Sequence, residues 1–260
     1  MNLHGKVVVV TGSGGAGSGR AIARRFAREG ASVIVTDINA AGGEETLRMI
    51  QRESGVATFF AADLCAAGAM PELIWFSCRT YGVVDVLVNN ASAPYRPETP
   101  FEHWLETIQV DLLGPMSGVL ACLGPMRERG GGAIVNIASV SALGHGRKHA
   151  EVPAFDVAKS GLIRLTTTLG GLGARDNIRV NCLVPGWIAV PEVQAYVDSL
   201  NGEQRAQRGV PKTLIATDEI ADAVVRLATD ETLAGRVMVH WNDQPPGFIP
   251  IGDPGYERLE

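Results

Sequence analysis

The residues best suited to chemistry lie near the start of the chain, in Val7 to Ala23, VVVVTGSGGAGSGRAIA. Its glycines can be framed as Gly12, Gly14 and Gly17, in G-x-G-x-x-G spacing, or as Thr11 and Gly12 followed by Gly17 and Gly19. Either frame suits a dinucleotide: glycine lets the backbone approach a pyrophosphate that a side chain would hold off, and the N-terminus of the following helix stabilises its charge. A flexible turn would carry similar glycines, so context decides. Asp37 supplies that context. It lies 20 residues after Gly17, at the end of a β-branched run, where a carboxylate accepts hydrogen bonds from adenosine ribose hydroxyls. The same charge repels a 2′-phosphate and no arginine neighbours it in sequence, so NAD is expected over NADP. The other reading of Asp37 is a solvated cap on the next helix.

These residues need strands and helices to hold them, and the chain alternates the two almost to its end. Val7 to Val10 and Ser32 to Thr36 read as buried parallel strands, and from Gly19 on, Ile22, Phe26 and Ala27 recur at helical spacing. Arg20, Arg24, Arg25 and Arg28 fall mostly off that apolar face and read as its solvated side. Further strands are expected at Val56 to Ala62, Val84 to Val88, Ala133 to Ala138, Ile178 to Val184 and Arg236 to Trp241. Helices are expected at Ala41 to Glu53, Pro71 to Gly82, Phe101 to Arg129, Phe155 to Ala174 and Glu219 to Thr229. Gly114-Pro115 and Gly124-Pro125 predict a bend or early stop in the long third one. Strands separated by helices imply right-handed crossovers and a doubly wound parallel α/β sheet of Rossmann type, in a single domain over residues 1–260. The polar segment Pro191 to Lys212 breaks the alternation and reads as a substrate lid or as an inert surface insertion.

Composition narrows the function classes. The chain has 260 residues, 46% of them hydrophobic, enough for one large core. A net charge of -5 gives no footprint for nucleic acid or an anionic membrane. Cys65, Cys78, Cys122 and Cys182 show no metal-ligand spacing, so no metal is expected; they sit in apolar segments as reduced core thiols do, which points to the cytoplasm. MNLHGK lacks a signal-peptide core and no uninterrupted apolar run approaches membrane-spanning length, so no membrane partner is expected.

Read together, TG…GxG, Asp37, Asp63-Leu64, NNAS at Asn89 to Ser92, IVNIAS ending at Ser139, Lys159 and RVNCLVPGWI at Arg179 to Ile188 resemble the short-chain dehydrogenase/reductase family, over nearly the whole chain. The resemblance implies a nicotinamide cofactor, hydride exchange with a carbonyl or alcohol carbon of a small molecule, and a homodimer or homotetramer packed through the two long helices. It implies a cofactor site of Gly12, Gly17, Ser18, Gly19, Asp37, Ile38, Asp63, Leu64, Asn90, Ala91, Ser92, Lys159, Pro185, Gly186 and Ile188. Ser139 matches the serine that polarises the substrate oxygen, and Lys159 matches the lysine that lowers the pKa of a tyrosine and bonds the nicotinamide ribose.

That tyrosine is absent. Its position, four residues before the lysine, is Phe155, and the family's relay asparagine is Asp111, counted here with Ser139 and Lys159 as catalytic. Losing a positioned acid or base typically costs about 10²–10⁴ in rate, or roughly 3–5 kcal/mol of barrier. The glycine bend is also one residue longer than TGxxxGxG, Val190 stands where a threonine often meets the cofactor, and a longer insertion before Phe155 carries His145, Arg147, Lys148, His149 and Glu151. His145 and His149 have the right ordinary pKa to replace the tyrosine, although HGRKHAE also reads as a solvated loop; Tyr95 and Tyr196 are other donors. A carboxylate at Asp111 would either lock Lys159 as an ion pair or act as a buried acid of raised pKa. Two functions follow: an NAD-dependent oxidoreductase on a small carbonyl, alcohol or activated alkene with a non-standard proton relay, or a cofactor-binding or assembly protein that lost the chemistry.

Overall fold

Val7–Thr11 (β1) is buried throughout, and its side chains divide between two faces: Val8 and Val10 join one core cluster and Val9 another. Period-two alternation does this in any strand covered on both sides. The computed structural model describes residues 1–94, 96, 100–143 and 152–252. Within them the further strands are Ser32–Asp37 (β2), Val56–Ala61 (β3), Val86–Asn89 (β4), Gly132–Ile137 (β5), Ile178–Pro185 (β6), Val237–His240 (β7) and Gly247–Phe248 (β8). They make one sheet in the order β3-β2-β1-β4-β5-β6-β7-β8, parallel except for β7 with β8. β8 was not legible in the sequence: two residues flanked by prolines show no period.

The helices are Ser18–Arg28 (α1), Ala40–Arg52 (α2), Ala69–Tyr81 (α3), Phe101–Ile108 (α4), Gly114–Glu128 (α5), Pro153–Thr168 (α6), Leu172–Asp176 (α7), Pro191–Ser199 (α8), Gly202–Gln207 (α9) and Thr217–Thr229 (α10). Ile22 and Phe26 of α1 and Ile220, Val224 and Leu227 of α10 cover one face of the sheet. Leu73 of α3 and Val119 and Met126 of α5 cover the other, and Leu162 of α6 packs on Cys182 and Val184 of β6. Helices on both faces make the sheet doubly wound, and its strand order reverses direction beside β1, between β1 and β4.

Three expectations change. The long helix over 101–129 is α4 and α5 joined by a π-helical turn, Gln109–Leu113, because Pro115 has no N–H for the α-helical bond back to residue 111. Pro125 stops nothing, since α5 continues to Glu128. The helix over 155–174 divides into α6 and α7 at Gly170-Gly171, where a Cβ on Gly170 would lie 3.1 Å from the Gly235 backbone. The arginines of α1 are also more than a solvated face. Arg24 and Arg28 share Glu53 at the end of α2, and Arg25 joins Glu29 and Asp222 of α10. Phe101–Glu128 taken whole is long and apolar enough to cross a membrane, but the α5 part is a core helix packed on α3 and the sheet.

Candidate active site

The bend after β1 is stitched to the chain leaving β4. Thr11 Oγ1 accepts from the backbone N–H of Asn90 (3.0 Å) and Ala91 (3.1 Å), and Asn90 Nδ2 donates to the carbonyls of Thr11 (2.9 Å) and Gly12 (3.1 Å). Ser18 Oγ donates to Asn90 Oδ1 at 2.9 Å. This closeness is what requires glycine. Gly12 has φ +67°, and a Cβ on Gly19 would stand 2.1 Å from the Gly12 carbonyl oxygen. α1 then begins at Ser18, its N-cap Gly17 leaving its N–H groups without a side-chain cap, and has no acidic residue in its first turn. An uncapped helix N-terminus over a bend in which Gly12, Gly14 and Gly19 have no room for a side chain fits an anion such as a pyrophosphate.

The extra residue of the bend is absorbed by pairing. Ser13 is fully buried, its N–H donates to the Thr36 carbonyl at 3.1 Å, and its Oγ accepts from Thr36 N–H at the same distance. Gly14 N–H then donates to Asp37 Oδ2 at 2.7 Å, while Asp37 Oδ1 accepts from Asn39 N–H at 2.9 Å. Asn39, not Asp37, caps α2, through Gly42 N–H. Each Asp37 oxygen therefore keeps a lone pair for a further donor. Arg20 reaches the same loop from α1, donating to the carbonyls of Gly14 and Gly42 and to Thr46 Oγ1. An arginine distant in sequence thus does stand near Asp37. Ile38 beside it is 70% exposed, and Asp63 Oδ1 accepts from Cys65 N–H.

At the other end of the crevice the π turn puts Asp111 on α6. Asp111 is fully buried, Lys159 is 3% exposed, and Lys159 Nζ lies 3.0 Å from Asp111 Oδ2. Ser92 Oγ donates to the same oxygen at 2.6 Å, Ala93 N–H donates to Oδ1 at 2.7 Å, and Lys159 Nζ donates to the Ile137 carbonyl at 3.1 Å. The ammonium also sits 5.3 Å from the centroid of the Phe155 ring, a cation–π contact in place of a hydroxyl bond. Ser139, at the exit of β5, accepts from Ser141 N–H through Oγ at 3.2 Å. Beneath the site, Asn89 Nδ2 donates to Asn136 Oδ1 and Asn136 Nδ2 to Thr166 Oγ1, which holds β4, β5 and α6 together.

Comparison with known proteins decides the family. The model of the short chain dehydrogenase family matches residues 6–201. This chain belongs to the short-chain dehydrogenase/reductase family. An uncharacterized oxidoreductase of Thermotoga maritima is 38% identical over 193 residues, 73% of this chain and 74% of its own length. A crystal structure of a putative short-chain dehydrogenase/reductase from Burkholderia xenovorans superposes with TM-score 0.81 at 32% identity, covering 93% of this chain and 96% of the other. A 7α-hydroxysteroid dehydrogenase complexed with NADH and 7-oxo glycochenodeoxycholic acid superposes with TM-score 0.80 at 27% identity, covering 92% and 94%.

In this short-chain dehydrogenase/reductase, Ser92, Asp111 and Lys159 meet directly, and Ser139 follows the strand whose Ile137 carbonyl anchors Lys159. Pro185 ends β6, and Gly186, Trp187 and Ile188 form the loop beyond it. Tyr196 lies on α8, stacked on Trp187 at 6.2 Å between centroids rather than beside Lys159. Tyr95, His145, Arg147, Lys148, His149 and Glu151 lie outside the described residues. Ser13, Arg20, Thr46 and Asn242 escaped sequence reasoning, because each bonds backbone remote in sequence, Arg20 through the Gly42 carbonyl. The thiols are corrected too: Cys122 and Cys182 are buried, but Cys78 is half-buried and Cys65 exposed. Burial pushes the Cys182 thiol up to about 12 and that of Cys122 further, so both stay protonated.

Proposed function

We propose that this short-chain dehydrogenase/reductase is an NAD(H)-dependent oxidoreductase acting on a small carbonyl, alcohol or activated alkene, with a proton relay that lacks the family's tyrosine. The observation that carries this is the cradle at α1, where Gly12, Gly14 and Gly19, which have no room for a Cβ, underlie an uncapped helix N-terminus and the Gly14 N–H holds Asp37 beside the bend. A bound dinucleotide supplies the hydride acceptor or donor. Backbone N–H groups of Gly12, Gly17, Ser18 and Gly19 hold its pyrophosphate, Asp37 takes the adenosine ribose hydroxyls, and Ile38, Asp63 and Leu64 border the adenine. Asn90, Ala91, Ser92, Pro185, Gly186 and Ile188 line the way to the nicotinamide. Lys159 has three ammonium protons; Asp111 and the Ile137 carbonyl take two, which leaves one for a ribose hydroxyl. Ser139 Oγ already accepts from Ser141, so its own proton is free to polarise a substrate oxygen.

Phe155 has no proton to give. Hydride delivery to the β-carbon of an activated alkene fits such a site, because the enolate it leaves takes its proton from water and needs no acid at the tyrosine position. The second reading, a cofactor-binding or assembly protein without turnover, is favoured by the same pair: a phenyl ring where the phenol belongs, beside an ammonium already neutralised by Asp111. A Phe155→Tyr variant tested on carbonyl and alcohol substrates is expected to gain about 10²–10⁴ in rate. Wild-type turnover at rates usual for the family, with no gain in the variant, overturns the impaired relay. Binding of NADH with no turnover by either protein favours the second reading. Asp37 predicts that NADH binds more tightly than NADPH in a fluorescence titration; equal or reversed affinities contradict it.

Around this site, α8 and α9 are assigned as the lid over residues 191–212, and the exposed apolar face of α4, α5 and α6 as the contact for a homodimer or homotetramer. The NADH complex of the 7α-hydroxysteroid dehydrogenase supports the cofactor class. Four free thiols support a reducing compartment, taken as the cytoplasm.

A further inference from the structure

Asn242 follows β7, and its side-chain amide turns back onto the loop beyond β6. Oδ1 accepts from the Trp187 backbone N–H at 2.8 Å, while Nδ2 donates to the carbonyls of Trp187 and Thr213, each at 2.9 Å. One amide thus reads the backbone of Trp187 as a neighbouring strand would and ties it to Thr213. Gly186 makes the room: a Cβ there would lie 2.1 Å from Asn242 Oδ1. Neighbouring bonds complete a knot. Gly186 N–H donates to the His240 carbonyl (2.9 Å), Ile215 N–H to the Trp187 carbonyl (2.8 Å), Ala189 N–H to the Ile215 carbonyl (2.8 Å), and Lys212 N–H to Asp243 Oδ2 (3.2 Å). The chain leaves this knot at Val190 to make α8 and α9 and comes back to it at Lys212. Both feet of the lid segment are therefore held by residues 240–243. One foot borders the dinucleotide cradle closely enough that a Cβ on Gly17 would stand 3.2 Å from Val190 Cγ1. Trp187 carries the contact outward by stacking on Tyr196 of α8.

We infer that Asn242 is a positioning residue: it fixes the Pro185–Ile188 loop against the nicotinamide end of the crevice and couples that loop to both feet of the lid. The inference rests on the reading that a dinucleotide spans the crevice. An aspartate could not do the same work, because a carboxylate oxygen in the Nδ2 position would face two carbonyl oxygens with no hydrogen to share. The full chain carrying Asn242→Ala or Asn242→Asp tests this by titration with NADH and with ADP, which reaches only the half of the crevice beside α1 and Asp37. Loss of two to three hydrogen bonds is expected to weaken NADH binding about 10-fold or more in both variants. ADP binding is expected to be unchanged. Amide hydrogen exchange at Trp187, Ile215 and 191–209 is expected to accelerate while β1 and α1 keep their protection. Lowering the pH until the carboxyl introduced by Asn242→Asp is protonated returns one donor and narrows the NADH deficit of that variant alone. Equal losses of NADH and ADP, or unchanged exchange at Trp187 and Ile215, overturn the assignment. If wild type binds neither nucleotide, the dinucleotide reading falls separately; exchange then decides the pin, faster exchange in the variants supporting it and unchanged exchange sinking it.

Discussion

Asp111 and Lys159 form a pair closed to water, and each has partners beyond the other: Ser92 and Ala93 on the carboxylate, the Ile137 carbonyl on the ammonium. Desolvation makes such a pair worth little in itself, but removing one member strands the other charge in the core. Asp111→Ala should therefore cost about 3–5 kcal/mol in urea unfolding, while Asp111→Asn with Lys159→Met should cost clearly less than the sum of the two single changes. Additive losses would show that the two charges do not depend on one another. Sequence reasoning left Asp111 open between ion pair and buried acid, since 48 residues separate it from Lys159 and only the packing of the π turn on α6 brings them together. The place of Asp37 at the end of β2 was legible because it depends on that strand alone. Its hydrogen bond from Gly14 was not, because that required the bend to fold back by one residue.

At the scale of elements, glycines divide by what stands opposite them. A Cβ on Gly19 of α1 meets the Gly12 carbonyl at 2.1 Å and Asn90 Nδ2 at 2.5 Å, and backbone cannot give way. A Cβ on Gly118 of α5 meets chiefly Met70 Cε at 2.3 Å, the far end of a flexible chain. Gly19→Ala should abolish measurable NADH binding and lower stability by roughly 2 kcal/mol or more, whereas Gly118→Ala should change stability by less than about 1 kcal/mol, because alanine is the better helix former. Thermal melts with and without NADH check both. The seven parallel strands fall within two residues of the bounds their β-branched runs predict, and only β8 is missed. Helix boundaries fared worse where a proline or a glycine pair had two possible outcomes: Pro115 goes with a π turn, Pro125 does not stop α5 before Glu128, and Gly170-Gly171 breaks a helix expected to continue.

Across the whole molecule the surface is uneven. Phe101 and Leu105 of α4 and Val157 of α6, which packs on α4, present apolar side chains to solvent, as does Leu120 of α5, at 71% exposed, on the far side of the π turn from α4. Large apolar side chains exposed together mark an interaction face, and we assign this one to a second copy of the chain. Leu120→Asp should shift the chain toward the monomer in sedimentation velocity, with its far-ultraviolet circular dichroism unchanged; a wild type that is already monomeric at micromolar concentration would contradict the assignment of that face to a second copy.

The amino-acid order alone determined the alternation of strand and helix, the doubly wound sheet and the glycine cradle, because these follow from local periodicity, from β-branching and from glycine's missing Cβ. It also determined that Phe155 cannot exchange a proton. Only the tertiary structure decided that Asp111 neutralises Lys159, that Arg20 reaches the loop beside Asp37, and that Asn242 grips Trp187. Each of these joins groups distant along the chain, and a pairing of that kind has no period or spacing to betray it until the core has set the distance between its partners.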